Sequence, residues 1–188
     1  MAVKPRLVLV DAGAVIHAHR CGGWAQLCKS YEVIVPTIVV GEATFYLGDD
    51  RKRIPIDIAP DIVAGRVVTY SASASDFAAT SAALPASLRV RVHDGELEAL
   101  TLLRISGTKE TALLTADGGA VEATVVFGFS EVAMSLQRAL QLSGMTKALP
   151  YEHTEAFIVE AKRRGGVTLA QIGPPPAVPT RKRGRRGS

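Results

Sequence analysis

The sequence predicts an α/β protein with a mostly parallel central sheet covered by helices on both faces. Three observations carry that prediction. The runs Leu7 to Val10 and Thr111 to Thr115 are continuously apolar or β-branched, the pattern of strands buried on both sides. Segments of helical length and mixed polarity alternate with such runs. Finally, both runs end alike, in an Asp followed closely by glycine: Asp11 before Ala12 and Gly13, and Asp117 before Gly118 and Gly119.

Taken in order, the first strand is followed by a helical stretch, Val15 to Tyr31, which Gly22 and Gly23 bend or split. Glu32 to Val35 is a short strand stopped by Pro36. Thr37 is placed to cap a helix running through Phe45 and Tyr46, with Glu42 about one turn into it. From Gly48 to Ser75 the chain turns charged and proline-containing, and Val67 to Tyr70 forms a strand. Asp49, Asp50, Asp57 and Asp61 are expected as solvated turn carboxylates. Asp76 to Leu88 suits a helix. Asp94 is placed to cap the helix of HDGELEALTLLRIS, whose first turn holds Glu96. After the Thr111 strand, Val132 to Leu142 is expected as a helix with Met134, Leu136 and Leu140 inward. Tyr151 to Arg164 is expected as a last helix, stopped by Gly165 and Gly166. Residues 174–188, proline-rich and then basic, lack hydrophobic periodicity and are expected to be disordered.

The chain of 188 residues suits one domain, taken as residues 1–173, and its 47% hydrophobic content can bury a sizeable core. No apolar run reaches the roughly 18 residues of a membrane span, and Asp11 interrupts the run that would serve a signal peptide. The expectation is a soluble, cytoplasmic protein with no membrane partner. The net charge of +4 belongs to the tail, because Arg181, Lys182, Arg183, Arg185 and Arg186 lie in the last eight residues. Without them, 17 basic residues face 18 acidic ones, a balance of −1. Such a tail can attract RNA phosphates without sequence preference. Cys21 and Cys28 are read as ordinary buried or half-buried thiols, since no Cys or His pair completes a zinc site. His17, His19, His93 and His153 are scattered in sequence and read without chemistry, Trp24 and Tyr31 are read as packing residues, and Glu122 as a surface residue.

An Asp after a strand is commonly a helix cap. The repeated setting of Asp11 and Asp117, however, puts two carboxylates at the ligand-binding edge of a parallel sheet, where Glu42 and Glu96 can join them. Carboxylates about 4 Å apart repel by roughly 4 kcal/mol per pair at an effective dielectric near 20. A divalent cation relieves that repulsion, and oxygen-only ligation points to Mg²⁺ or Mn²⁺. Glu96 is preferred over Asp94, which can act as a cap, and over Glu98, which an ideal helix rotates about 200° away.

The segments LVLVDAGAVI, PTIVVGEA, DGELEAL and LLTADGGAVEA resemble, in that order, the acidic motifs of PIN-domain proteins. RIPIDIAPDIVAGRVV, SLQRAL and the last helix resemble a longer prokaryotic branch related to toxin ribonucleases, so the likeness spans roughly residues 5 to 170. It implies a three-layer α/β/α PIN-like fold and a pocket holding one or two Mg²⁺ or Mn²⁺ ions. It also implies metal-assisted, in-line hydrolysis of RNA by an endoribonuclease of the toxin-like or RNA-processing kind. By carry-over, Asp11 and Asp117 are metal ligands from strand ends, Glu42 a ligand from the second helix, and Glu96 the helix-borne acid; all four are candidate catalytic residues. RNA is the implied substrate, and an antitoxin protein and a second copy of the chain are candidate partners. The alternative is a PIN-like module that binds nucleic acid or protein without turnover. A phosphotransfer domain with Asp11 as nucleophile is disfavoured, because Gly13 stands where a D-x-D motif needs its second Asp.

Overall fold

The computed structural model describes residues 6–107 and 110–173. The expected tail lies outside them. Strand β1 (Leu7–Val10) leads into helices α1 (Ala12–Arg20) and α2 (Trp24–Ser30), then β2 (Glu32–Pro36) and α3 (Thr37–Glu42). A hairpin of β3 (Phe45–Leu47) and β4 (Arg53–Pro55) follows, then α4 (Ala59–Val63), β5 (Val67–Tyr70), α5 (Ala74–Ala83), α6 (Ala86–Arg89) and α7 (Asp94–Ser106). The chain closes with β6 (Thr111–Leu114), α8 (Gly118–Val126), β7 (Ala133–Met134), α9 (Leu136–Leu142) and α10 (Glu155–Ile172).

Five strands form one sheet in the order β5-β2-β1-β6-β7, every pair parallel. The side-chain period of two assigns alternate residues to opposite faces. Val8, Val10, Val33, Val35, Ala112 and Leu114 face a core completed by α1, α2, α3 and α9. Leu9 and Leu113 face the other core, completed by α6, α7 and α8. This is a three-layer α/β/α fold, as the sequence predicts. Among the described residues no helix is long and apolar enough to cross a membrane.

The chain winds from β1 outward to β2 and β5, then returns to β6 and β7 on the other side of β1. The gap between the carboxyl ends of β1 and β6 is therefore the topological switch point, the usual crevice for a ligand. Register aligns the two ends: Val10 pairs with Leu114, and the Asp11 N–H donates to the Leu114 carbonyl at 3.1 Å.

The first helical stretch is split into two helices at its glycines, one of the two outcomes expected of them: Gly22 takes φ +69° and Gly23 passes so close to Leu140 that a Cβ would sit 2.8 Å from its Cδ2. Several other elements differ from expectation. Thr37 is the first residue of α3 rather than its cap, and its hydroxyl donates to the Tyr70 carbonyl instead. That helix stops at Glu42, because Phe45 to Leu47 pair antiparallel with Arg53 to Pro55. Leu84 and Pro85 break the expected helix of residues 76–88 into α5 and α6. Ala133 and Met134 extend the sheet beside β6, so α9 starts at Leu136, with the Ser135 hydroxyl accepting from the Arg138 N–H. Gly165 and Gly166 do not stop α10, which continues to Ile172.

Candidate metal centre

Asp11 follows β1 and is 2% exposed. One carboxylate oxygen accepts from the Ala14 N–H at 2.6 Å, capping α1, while the other accepts from the Ala116 N–H at 3.1 Å, beyond the end of β6. Cap and site are thus one placement: the carboxylate satisfies the free N–H groups of a helix start and of the neighbouring strand end at the switch point. Burial pushes its carboxyl up to about 6 against hydrogen bonds from Thr115, Ala14 and Ala116, and the charge of Asp117 adds to the rise.

Asp117 repeats the design. It caps α8 by accepting from the Ala120 N–H at 2.7 Å, and its own N–H donates to the Thr115 hydroxyl. The following helix must approach closely, since a Cβ on Gly119 would lie 2.7 Å from the Arg91 carbonyl oxygen. Glu96 enters from the first turn of α7. Its Oε2 is buried and has no hydrogen-bond partner among the described residues. Burial pushes this carboxyl up to about 7, and the charges of Asp11 and Asp117 push the same way.

His93 completes the cluster. Its Nδ1 stands 3.7 Å from Glu96 Oε2 and 4.0 Å from Asp117 Oδ2, and the ligand atoms of these three residues all lie within 4.8 Å of one another. Sequence reasoning set this histidine aside. Its signal was the i, i+3 spacing to Glu96, which puts the two on one helical face. His93, not Asp94, is the residue preceding α7, and its carbonyl accepts from the Leu97 N–H. Asp94 is exposed and faces Arg89 at 3.5 Å.

Glu42 ends α3 and is exposed, and a Cβ on Gly95 would lie 3.1 Å from its Oε2. It therefore stands beside the residue preceding Glu96, but the group formed by His93, Glu96 and Asp117 does not include it. Glu98 is buried and accepts from the N–H groups of Ile38 and Ala72, pinning the start of α3 and the exit of β5. Glu122 corrects the surface expectation: it is 1% exposed and receives Arg91 through both oxygens, at 2.7 and 2.9 Å, and Arg164 at 2.9 Å. Asp61 is likewise no solvated turn carboxylate, since the Trp24 indole donates to it at 2.8 Å and Arg66 pairs with it.

No family model matches the chain, and neither does any curated protein or solved structure. The chemistry is read from the residues. Asp117, Glu96 with its unpaired oxygen and the His93 imidazole make a donor set suited to a hard or borderline divalent cation, while Asp11, both of whose oxygens accept from backbone N–H groups, lies outside that group and acts on Glu96 through its charge. The buried, unpartnered oxygen of Glu96 is the feature such an ion would satisfy.

Proposed function

We propose that this chain is a Mg²⁺- or Mn²⁺-dependent endoribonuclease of PIN-like type, hydrolysing RNA phosphodiester bonds at the crevice between β1 and β6. The observation that carries the reading is Glu96 Oε2, buried without a hydrogen-bond partner in the negative field of Asp11 and Asp117. Asp11, Glu96 and Asp117 would hold the cation, with Glu42, beside Gly95, as a further carboxylate. His93 adds a nitrogen donor, which leans the choice toward Mn²⁺. When bound, the cation supplies Lewis-acid polarisation of a phosphoryl oxygen and lowers the pKa of water. Asp11 and Asp117 contribute rigidity, because their hydrogen bonds to backbone N–H groups fix their carboxylates before substrate arrives. RNA as substrate rests on the ordered acidic motifs and on the basic tail.

Cleavage of mixed RNA by the full chain with Mn²⁺ tests the reading. Asp11→Asn and Asp117→Asn should each lower the rate about 100-fold or more, the scale of a damaged metal shell. Undiminished cleavage in both variants would sink the assignment. A second reading, a module that binds RNA without turnover, is favoured by the helix-capping roles of both aspartates, which give them a purpose without chemistry. It predicts RNA retention with no cleavage under any divalent ion.

A further inference from the structure

A second group of ligating side chains lies outside the acidic cluster and shares no residue with it. His17, in α1, meets Glu152 and His153, which belong to the 3-10 turn Tyr151–His153 preceding α10. One potential ligand atom from each of the three lies within 4.8 Å of the others. The imidazoles of His17 and His153 are in contact, with ring centroids 3.9 Å apart and planes 42° to each other.

His153 is the informative member. It is 2% exposed, and its Nδ1 is buried with no hydrogen-bond partner among the described residues. Buried polar atoms are nearly always paired, so one left open beside two further ligating groups calls for a ligand. A cavity of about 250 Å³ opens alongside, lined by His17, Arg20 and Cys21 from the end of α1 and by residues 148–150. It provides both an entry path and space for a fourth, non-protein ligand. Glu152 is exposed, so its carboxylate can swing inward without disturbing the core.

We propose that His17, Glu152 and His153 form a transition-metal site, for Zn²⁺ first, which clamps the turn before α10 onto α1. Two imidazoles and one carboxylate are a set that zinc accepts with a fourth position open, whereas Mg²⁺ takes oxygen ligands. Bonds of about 2.0–2.2 Å need ligand atoms about 3.4 Å apart in a tetrahedron, so closure from separations within 4.8 Å asks for a modest adjustment of the three side chains, of which the exposed Glu152 carboxylate is the freest to move.

The test is Co²⁺ and Zn²⁺ titration of the untagged full-length chain, stripped with chelator and held in excess Mg²⁺ to occupy the acidic cluster. One equivalent of Co²⁺ should give the visible absorption of a tetrahedral site, be displaced by Zn²⁺, and raise Tm. His17→Gln and the surface variant Glu152→Gln should each weaken binding at least about tenfold, since loss of even an outer-shell partner costs that much. Asp117→Asn should leave this signal intact. Absence of the tetrahedral signal, wild-type affinity in either His17→Gln or folded Glu152→Gln, or loss of the signal in Asp117→Asn would each overturn the proposal.

Discussion

Burial pushes Glu96 up to about 7 and Asp11 up to about 6, from ordinary values of 4.5 and 3.8, and the mutual repulsion of the site carboxylates adds to both. The folded state therefore binds these protons more tightly than the unfolded chain. The stability they contribute is complete below about pH 4 and is lost as pH rises through about 6 and 7. In chelator, Tm should fall between about pH 5 and pH 8, and Mn²⁺ added at the upper end should restore it. Glu96→Gln should flatten that profile and raise the cation-free Tm near pH 7.5 by roughly 2–4 °C, the equivalent of about 1 kcal/mol in a chain this size, while abolishing the Mn²⁺ response. Thermal scans across pH with and without metal measure both, and a Tm that climbs over this range in chelator would contradict the site's electrostatics. Of these residues, Asp11 and Asp117 were legible in sequence, because a cap after an apolar run is a local signal. His93 was not, because its i, i+3 spacing to Glu96 gains chemical meaning only beside Asp117, which follows β6 far along the chain.

At the scale of elements, the paired glycines of α10 separate propensity from packing. Sequence reasoning stops the helix at Gly165 and Gly166, since glycine in a helix is costly. Instead α10 runs through them, and Gly165 is buried where it crosses α8: a Cβ there would lie 2.8 Å from Val125 Cβ and 3.0 Å from Glu122 Cα. Close approach of the two helices outweighs the local preference. Gly165→Ala should destabilise by about 1–3 kcal/mol through overpacking. Gly166→Ala, whose Cβ meets nothing within 4 Å, should stabilise by about 0.5–1 kcal/mol. Urea unfolding of the two variants checks the contrast, and equal effects would remove the packing explanation. The same logic covers α3, where a helix-compatible run gives way at Ala43 because Phe45 to Leu47 find a hairpin partner that no local pattern announces.

At the scale of the whole molecule, Glu122 joins three segments distant in sequence: α8, the turn before α7 through Arg91, and α10 through Arg164. Burial alone would raise its pKa, but hydrogen bonds and charge from Arg91 and Arg164 hold it below the ordinary glutamate value. Arg91 and Arg164 side chains remain 48% and 36% exposed, so they stay hydrated if the partner is lost. Glu122→Ala should therefore cost about 2–3 kcal/mol, less than an isolated buried pair would. The loss should show as a lower urea midpoint with an unchanged slope. A neutral result would make the network incidental to stability.

The sequence by itself determined the layered α/β/α class, the strands β1, β2, β5 and β6, and the strand-end placement of Asp11 and Asp117. Each follows from hydrophobic runs and caps within a few residues, where the physics is local. Tertiary structure alone decided that β7 extends the sheet, that Glu122 is buried against two arginines, and that His93 stands beside Glu96 and Asp117 while His17 meets Glu152 and His153. These outcomes depend on which surfaces the parallel winding brings together, and a carboxylate or imidazole carries no mark of its future neighbours in the residues beside it.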